Sequence, residues 1–599
     1  MPISFIDAIK NKYGMPKEFR SLISLDEARS ILFSHPIQMG TESLPLQTAR
    51  GRILARKIVS SIDVPGFRRA SMDGYAVHSQ DTLESREDRP VALHLAGSVP
   101  MGIEPVISVP LGEAAEVSTG SMMPQGADAV VMIEYSQADG DQVLVRRPVY
   151  AGENVQLQGS DISYGEAVLF PGTKLGTREI GVLAALGQET VPVKSLKVGV
   201  ASTGNELVPP GQAIGPGQIY DINSFTVAYA VEDCGASAAL YGILPDRRED
   251  MARMLQRMAL ECDLILVSGS TSAGVGDMIY QVLDEIGELI FHGVNFKPGK
   301  PTLFGVIEGK PCIGLPGYPT SALTVYTELA APAIRKALGT RVLEKNVSGR
   351  LAGPLRTEGR QQMLPVGLSN DLVYPVDKGS GSITSLAMAD GVIEIPSGQE
   401  YLERGEDVVV RLFGEAIAPD LVVAGENAIF LEKMAENLPW RLKLLCTGSL
   451  WGKVYLKDGV ADIAFLADRG EPPAGMVSIA SHKREIGFIF RNAGELQDLE
   501  HKRLVGWHKD HSLNAAFEQA LLDLGISSPG YVRTAKTHSA VAAAIASGRA
   551  DIGFGERAAA KEAGLEFRTY AVEELQFFGP PKILQHPFLK SFISALPRV

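Results

Sequence analysis

The sequence contains little cysteine, histidine or tryptophan: its 599 residues include 4 Cys, 10 His and 3 Trp. The four cysteines form no C-x-x-C pair, and no histidine lies at metal-ligand spacing from them, which argues against a Cys/His metal centre. Cys262 and Cys312 lie in apolar, strand-like runs, so we predict that they are buried thiols. Disulfides are not implied, and a reducing cytoplasm fits this cysteine usage.

Long apolar runs and an excess of basic residues are also missing. No apolar run reaches about 18 residues, so no transmembrane helix is expected, and charges throughout the first 20 residues predict no signal peptide. The formal net charge of −13 argues against broad binding to nucleic acid or to a membrane surface. Any anion site must therefore be a local basic pocket. The length predicts several domains of ordinary globular composition.

Three strand-like runs between residues 196 and 319 each end in a loop rich in Gly, Pro and polar residues. Helical patterns follow the second and third loops. Continuous apolar runs alternating with helices predict a parallel sheet covered on both faces. Ligands of such sheets bind beyond the carboxyl ends of the strands, where these loops must lie.

The chemistry of these loops suits a phosphorylated ligand together with a divalent metal. Glycines let the backbone approach an anion, and Lys297 and Lys300 add positive charge. Glu206, Asp246 and Asp277 offer the oxygen ligands that Mg²⁺ prefers. Each loop alone is equally compatible with a packing turn, but the three together favour a ligand site.

These loops, with several upstream motifs, resemble the molybdopterin molybdenumtransferase family, MoeA and the E domain of gephyrin. The resemblance covers about residues 22–414. The matching motifs include Asp63-Val64-Pro65-Gly66-Phe67, Ser71-Met72-Asp73-Gly74-Tyr75, Thr119-Gly120, Gly159-Ser160-Asp161, Ser268-Gly269, Gly276-Asp277, Lys297-Pro298-Gly299-Lys300-Pro301 and Gly314-Leu315-Pro316-Gly317-Tyr318-Pro319.

The resemblance implies a multidomain α/β and β fold. Its expected parts are an N-terminal lead-in (1–21), an elongated helical domain (22–71 and 159–195), a β insertion (72–158), a MogA-like doubly wound α/β molybdopterin-binding domain (196–340) and a small β-barrel (341–414). Within these, Ser24 with Glu27 predicts a helix start by capping. The Asp139-Gly140 pair predicts a hairpin.

The resemblance also implies an activity, in which adenylated molybdopterin and molybdate or tungstate give molybdenum cofactor and AMP in a step that depends on a divalent metal such as Mg²⁺. It implies a homodimer whose cleft is built by both chains, and a molybdopterin adenylyltransferase-like protein as a possible upstream partner.

The implied catalytic residues are Asp277, Glu206, Asp246, Lys297, Lys300, Asp73 and Asp161, of which Asp277, Glu206 and Asp246 hold the metal. The implied cofactor-binding residues are Thr119, Ser268, Gly269, Asp221, Asn223, Ser224, Pro316 and Pro319. Asp73, Thr119 and Asp161 are expected to reach the partner chain's cleft, although turn and cap roles would also explain Asp73 and Thr119.

The sequence departs from the family pattern at several positions. Gln156 replaces a usual Arg, Ser160 replaces a usual Glu, and Gly293 stands where Lys is common. The second loop is also longer than usual, through residues 271–276. These changes leave the resemblance to the transferase family intact, but they bring individual anion contacts into question.

A second pattern begins near residue 419. The element Gly459-Val460-Ala461-Asp462-Ile463 recurs as Gly548-Arg549-Ala550-Asp551-Ile552, and strands alternate with helices. This half resembles the type II periplasmic-binding-protein fold found in solute receptors and LysR effector domains. Its lobe loops would be residues 447–449 and 510–514, and the Gly-Ser-Gly-Thr-Arg-like loop expected at the second is missing. We expect a separately folding two-lobed domain (419–599) that meets the barrel through a modest interface and binds a small ligand.

An alternative class of function is a pterin- or oxyanion-binding sensor or scaffold that lacks catalysis. The retained charged set of Glu206, Asp277, Lys297 and Lys300 favours the enzyme.

Overall fold

The computed structural model describes residues 22–271, 278–341, 344–376, 382–414, 418–467, 472–492, 501–508, 511–526 and 530–597. They form two compact units: one contains the described residues through Val294 together with 299–341, and the other contains 295–298 and 344–597. Within these ranges, no helix is long and apolar enough to cross a membrane. Asp277 and the lead-in 1–21 lie outside the described residues.

The first unit begins with the predicted capped helix, Leu25–Ser34. The Ser24 hydroxyl accepts the Glu27 N–H at 3.1 Å, so the capping prediction is confirmed. Later elements of this region are the antiparallel pair Gly40–Pro45 and Thr190–Ser195 and the helix Thr177–Ala185. The remaining short elements are Leu46–Thr48 (a 3₁₀ turn), Ile58–Val59 with Ala167–Leu169, and Arg69–Ala70 with Val155–Gln156.

The β insertion is one six-stranded sheet. In spatial order its strands are Ala129–Met132, Gly74–Val77, Glu113–Val117, Val91–Val99, Gln142–Val145 and Ser136–Asp139. The last two pair with Asp139 opposite Gln142, which confirms the predicted hairpin. A short helix, Ser79–Thr82, follows the strand Gly74–Val77. Both faces of the sheet carry a buried apolar cluster.

The α/β domain contains a six-stranded sheet in the order β2-β1-β3-β6-β5-β4. Its strands are β1 (Lys197–Thr203), β2 (Ser237–Leu244), β3 (Leu264–Ser268), β4 (Glu288–His292), β5 (Leu303–Ile307) and β6 (Lys310–Leu315). The four strands β2, β1, β3 and β6 are parallel, as predicted, whereas β5 and β4 add an antiparallel edge. A short parallel pair, Leu207–Val208 with Ile219–Tyr220, lies between β1 and the first helix.

Helices cover both faces of this sheet. They are α1 (Asn223–Asp233), α2 (Arg248–Glu261), α3 (Ile279–Ile286), α4 (Pro319–Val325) and α5 (Ala331–Leu338), with a π-helical turn at Tyr326–Ala330. On β3, Ile265 and Val267 pack in the core formed with α2 and α3. Their neighbours Leu264 and Leu266 point the other way and are equally buried. The predicted doubly covered sheet is therefore confirmed.

The second unit begins with a closed five-stranded barrel, as predicted. Its strands are β7 (Asn346–Leu351), β8 (Gln361–Ser369), β9 (Leu372–Pro375), β10 (Gly391–Ile395) and β11 (Asp407–Leu412). The pairings β8–β9–β7–β11–β10 return to β8 and close the barrel. Phe296–Lys297 adds a short parallel strand beside β8, and Leu355–Arg356 pairs with Tyr401–Leu402. The helix α6 is Ile383–Met388.

The C-terminal half is a two-lobed α/β structure on one eight-stranded sheet, in the order β13-β12-β14-β19-β15-β18-β16-β17. The strands are β12 (Leu421–Gly425), β13 (Leu442–Cys446), β14 (Ile463–Leu466), β15 (Val477–Phe490), β16 (Leu504–Trp507), β17 (Tyr531–Ala535), β18 (Ile552–Glu556) and β19 (Glu566–Gly579). The helices are α7 (Ile429–Asn437), α8 (Gly448–Asp458), α9 (Ser512–Asp523), α10 (His538–Ala546), α11 (Arg557–Glu562) and α12 (Leu589–Ala595), with a 3₁₀ turn at Pro581–Gln585.

Two long strands, β15 and β19, connect the lobes, and each lobe has its own apolar core. The repeated element has the predicted structure in both lobes. Gly459 and Gly548 follow α8 and α10 with positive φ, and the buried strands β14 and β18 begin a few residues later.

The barrel and the first lobe share a buried apolar cluster. Tyr374 and Val376 of the barrel are buried in one cluster with Val422, Leu445 and Val460. The Ser369 hydroxyl also donates to the Val460 carbonyl at 2.6 Å in a buried position. No local pattern predicts this shared cluster, because the segments on each side of it have the residue pattern of ordinary strands and helices.

Candidate functional site

A polar network lies at the carboxyl end of β1. The Ser202 hydroxyl donates to the Asp221 carboxylate at 2.7 Å and lies 2.9 Å from the Ser224 hydroxyl. The same Asp221 oxygen accepts the backbone N–H of Ser224 at 3.1 Å. All three side chains are buried. Asp221 therefore fixes the start of α1 against the end of the first strand, which is where a doubly wound sheet binds its ligand.

The second strand-to-loop junction is held by Asn223. Its amide nitrogen donates to the Ser268 hydroxyl and to the Gly317 carbonyl, each at 2.7 Å. The Ser268 hydroxyl in turn donates to the Pro316 carbonyl at 3.0 Å. Asn223 thus joins the ends of β3 and β6, while its buried carbonyl oxygen has no hydrogen-bond donor among the described residues. That oxygen is a candidate acceptor for a ligand N–H.

Gly269 and Pro319 shape the two loops. Gly269 has φ of 99°, and a Cβ there would lie 2.5 Å from the Thr203 carbonyl oxygen, so only glycine fits. Pro319 is the first residue of α4, where its missing N–H costs nothing. The structure therefore gathers the predicted pterin-binding residues of this domain along one edge of the sheet.

Asp246 connects three loops at the same edge. One of its carboxylate oxygens accepts the Ser270 hydroxyl at 2.8 Å, and the other accepts the Asn205 N–H at 3.3 Å. The next residue in the first loop, Glu206, is exposed. Asp246 and the β1 loop are thus adjacent through Asn205, as the predicted metal site requires.

The metal site itself is incomplete in the described part of the chain. No group of three or more His, Cys, Asp or Glu residues there is arranged to hold a metal ion. Both oxygens of Asp246 already accept protein hydrogen bonds, and the predicted third ligand, Asp277, lies outside the described residues. The described residues therefore do not form a metal site by themselves, and the metal assignment stays a prediction that depends on Asp277.

The two predicted phosphate lysines belong to different units. Lys297 lies beside the barrel strand β8 and donates to Glu358 at 2.9 Å. Arg360 also pairs with Glu358. Together Lys297 and Arg360 hold the pKa of Glu358 below its ordinary value. Lys300, in the other unit, is exposed. An anion that binds Lys297 must therefore compete with Glu358.

The residues predicted to reach a partner chain lie at the junctions of the β insertion. The Thr119 N–H donates to the Asp73 carboxylate at 2.7 Å, so these two residues form one local site. Asp161 is exposed, and its N–H donates to the Val64 carbonyl at 3.0 Å. Among the described residues, no hydrogen bond links these three to the loops of the α/β domain. Their predicted role across a dimer interface remains untested.

Sequence reasoning missed several polar residues of this edge. Ser202, Asn205 and Ser270 each connect a predicted residue to a neighbouring loop. Each of them lies directly at or after the end of a strand, and that position could have identified them as site residues. Glu358 carried no such signal, since it is separated from Lys297 by 61 positions.

The two lobe loops of the C-terminal half meet at a buried carboxylate. One Glu426 oxygen accepts the Ser449 N–H at 2.8 Å, the Ser449 hydroxyl at 2.6 Å and the Ser512 hydroxyl at 2.8 Å. The Arg484 guanidinium lies 3.6 Å from the other oxygen, and both side chains are fully buried. Burial alone would raise the pKa of Glu426, but Arg484 and the serine hydroxyls hold it below its ordinary value. The predicted loop at 447–449 does begin a helix, α8; Asp510 lies outside the described residues.

Four regions that together make up most of the chain match known protein families. Residues 23–187 match the MoeA N-terminal region (domain I and II), 199–336 a probable molybdopterin binding domain, and 348–413 the MoeA C-terminal region (domain IV). Residues 432–597 match a PBP superfamily domain.

Individual relatives agree with this assignment. A molybdopterin molybdenumtransferase of Nostoc sp. is 32% identical over 390 residues, which are 62% of this chain and 89% of the relative. One of Haemophilus influenzae is 36% identical over 327 residues, 54% of this chain and 80% of that one. The crystal structure of a molybdopterin biosynthesis MoeA protein from Pyrococcus horikoshii matches with a TM-score of 0.57 at 40% identity, covering 66% of this chain and all of that one. The chain therefore belongs to the molybdopterin molybdenumtransferase family and carries an additional C-terminal domain of the PBP superfamily.

Proposed function

We propose that this protein is a molybdopterin molybdenumtransferase that inserts molybdate, or tungstate, into adenylated molybdopterin and releases AMP. The observation that carries the proposal is the network of Asp221, Asn223 and Ser268, which places buried donors and acceptors at the carboxyl edge of the α/β sheet. Relatives named molybdopterin molybdenumtransferase support a role in molybdenum cofactor biosynthesis.

The proposed roles follow from the chemistry of each group. The polar edge would orient the pterin through hydrogen bonds, since a ring rich in N–H and carbonyl groups needs both donors and acceptors. Lys297 and Lys300 would meet phosphate or oxyanion and stabilise negative charge as the phosphoanhydride is cleaved. A divalent cation such as Mg²⁺, held by Asp277 with Asp246 and Glu206, would supply Lewis-acid chemistry.

The proposal includes a homodimer in which Asp73, Thr119 and Asp161 of one chain serve the cleft of the other. It also includes delivery of the adenylated pterin by an adenylyltransferase-like protein. A cytoplasmic location is proposed because three of the four cysteines are buried thiols.

The decisive experiment measures AMP released from adenylated molybdopterin by the purified protein, with and without molybdate. We expect AMP only when protein and oxyanion are both present, and a tungstate arm tests the second substrate. Asp221→Asn should abolish most of the release, since it weakens the Ser202 and Ser224 bonds. Asp233→Asn, at the exposed last residue of helix α1, should leave the release unchanged. Binding of the pterin without any oxyanion-dependent AMP release would favour the alternative, a sensor or scaffold.

A further inference from the structure

The usual ligand position between the two lobes is already filled by this chain. Ser449 lies in the first turn of helix α8 of the first lobe and Ser512 begins helix α9 of the second, and both donate to one oxygen of Glu426. Helix starts of this kind commonly bind a ligand anion. With the Glu426 carboxylate in that place, an external anion has no access to these donors.

A cavity of about 790 Å³ lies beside this closed position, within the second unit. Its walls come from three sources: the first lobe, the second lobe and the barrel. Trp451 and Tyr455 of α8 and Tyr374 of the barrel give it flat apolar surfaces. The Tyr455 ring lies 6.2 Å from the Trp451 ring and 5.8 Å from the Tyr374 ring, measured between centroids. The volume falls within the range of small-molecule sites, about 300–1,000 Å³.

The second-lobe side of the cavity is basic and carries an unused donor. His511 accepts the Leu513 N–H at Nδ1, so its neutral ring carries the proton on Nε2. Burial lowers the pKa of His511, which keeps the ring neutral. Its buried Nε2 has no hydrogen-bond acceptor among the described residues, and Glu426 is 3.9 Å away, beyond hydrogen-bond distance.

The charged residues that line the cavity also favour an anionic ligand. Lys536, exposed at the same side, adds a positive charge. The carboxylate that also lines the cavity, Asp458, forms an ion pair with Arg404 at 2.9 Å.

We propose that this cavity binds a small organic anion with a flat, mainly apolar body. The acid group would lie at His511 and Lys536, and the body would lie between Trp451, Tyr455 and Tyr374. Because the barrel supplies one wall, such a ligand would contact the MoeA-type part and the PBP-type part together.

The test uses the full-length protein and benzoate, the simplest flat aromatic anion, with binding followed by titration calorimetry. Benzamide removes the charge and keeps the ring, whereas acetate keeps the charge and removes the ring. Lys536→Met and Trp451→Ala are the cavity variants. Their matched controls are Arg533→Met and Leu450→Ala, which are exposed nearby and outside the cavity lining.

We expect saturable benzoate binding that weakens about fivefold or more in Lys536→Met and about tenfold in Trp451→Ala, with both controls unchanged. Benzamide and acetate should bind more weakly than benzoate. The proposal is overturned if no saturable benzoate binding occurs below about 10 mM, if either neutral or ringless probe binds as tightly, or if the control variants weaken binding as much as the cavity variants.

Discussion

The Asn223 side-chain amide donates to the Ser268 hydroxyl at 2.7 Å across 45 positions of sequence. This bond joins the start of helix α1 to the carboxyl end of β3, and a second bond from the same nitrogen reaches the Gly317 carbonyl. One side chain therefore sets the spacing of two loops that the proposed pterin must contact.

Replacing this amide should damage both stability and ligand binding. Asn223→Ala leaves buried polar groups without partners, which lowers the free energy of unfolding by about 1–3 kcal/mol. Urea denaturation and equilibrium binding of molybdopterin measure the two effects. Thr226→Ala, which removes only bonds to carbonyls of its own helix, is the control and should change neither by a comparable amount. Wild-type pterin affinity in Asn223→Ala would remove Asn223 from the site.

The metal assignment depends on Asp277. Asp277→Asn should leave a folded protein that loses most Mg²⁺-dependent AMP release, because a neutral amide lacks the charge that binds the ion. Calorimetric titration with Mg²⁺ gives a readout independent of turnover. Asp284→Asn, exposed on α3, is the matched control. Unchanged Mg²⁺ binding in the Asp277 variant would mean that other residues hold the metal.

A cleft shared between two chains predicts complementation. Asp73→Ala and Asp277→Ala should each be inactive alone, yet a mixture of the two should regain AMP release. One of the two clefts in a heterodimer then carries neither lesion. Heterodimer formation is checked with two different affinity tags. A verified heterodimer without activity would place both residues in the cleft of a single chain.

The C-terminal domain should be dispensable for the transfer chemistry, because every predicted cleft residue precedes residue 414. A chain ending at Leu412 should release AMP at saturating molybdate, but with a lower unfolding temperature, since Tyr374 and Val376 lose their buried partners. Lys443→Met, which removes the 3.0 Å contact with Asp390 and the contact of the Lys443 ammonium with the Tyr374 ring, separates loss of these contacts from loss of the domain. A folded, dimeric and inactive truncation would show that the domain completes the active site.

The C-terminal domain should lose stability in mild acid. Burial, with a contribution from Arg484, holds the pKa of His538 well below its ordinary value of 6.5. As pH drops through 6.5, His538 therefore binds a proton in the unfolded chain but not in the folded domain. The free energy of unfolding falls over the same range. His482 and His511 act in the same direction.

Denaturation followed by tryptophan fluorescence measures this dependence, since all three tryptophans lie in this domain and the Trp507 ring is 5.0 Å from the His538 ring. Between pH values of about 7.5 and 5.5, His538→Gln should lose about 1 kcal/mol less than the wild type. Ser547→Ala, at the end of the same helix α10, removes no titrating side chain and should keep the wild-type slope. An unchanged slope in His538→Gln would show that His538 binds a proton in the folded domain as readily as in the unfolded chain.

Local pattern determined much of what the sequence predicted correctly. The Ser24 cap, the hairpin after Asp139 and the glycines that end α8 and α10 each depend on residues within a few positions of one another. The gathering of Asp221, Asn223 and Ser268 followed from one further rule, that parallel strands end at the same edge of a sheet.

Only the tertiary structure decided which distant groups meet. Lys297 pairs with Glu358 across 61 positions, and Ser512 donates to Glu426 across 86. The shared core of barrel and first lobe, and the cavity beside His511, likewise combine segments whose own patterns are ordinary strands and helices. The sequence set each segment's periodicity because that depends on neighbouring side chains. Contacts between segments depend on how the segments pack against one another, and no local pattern encodes that arrangement.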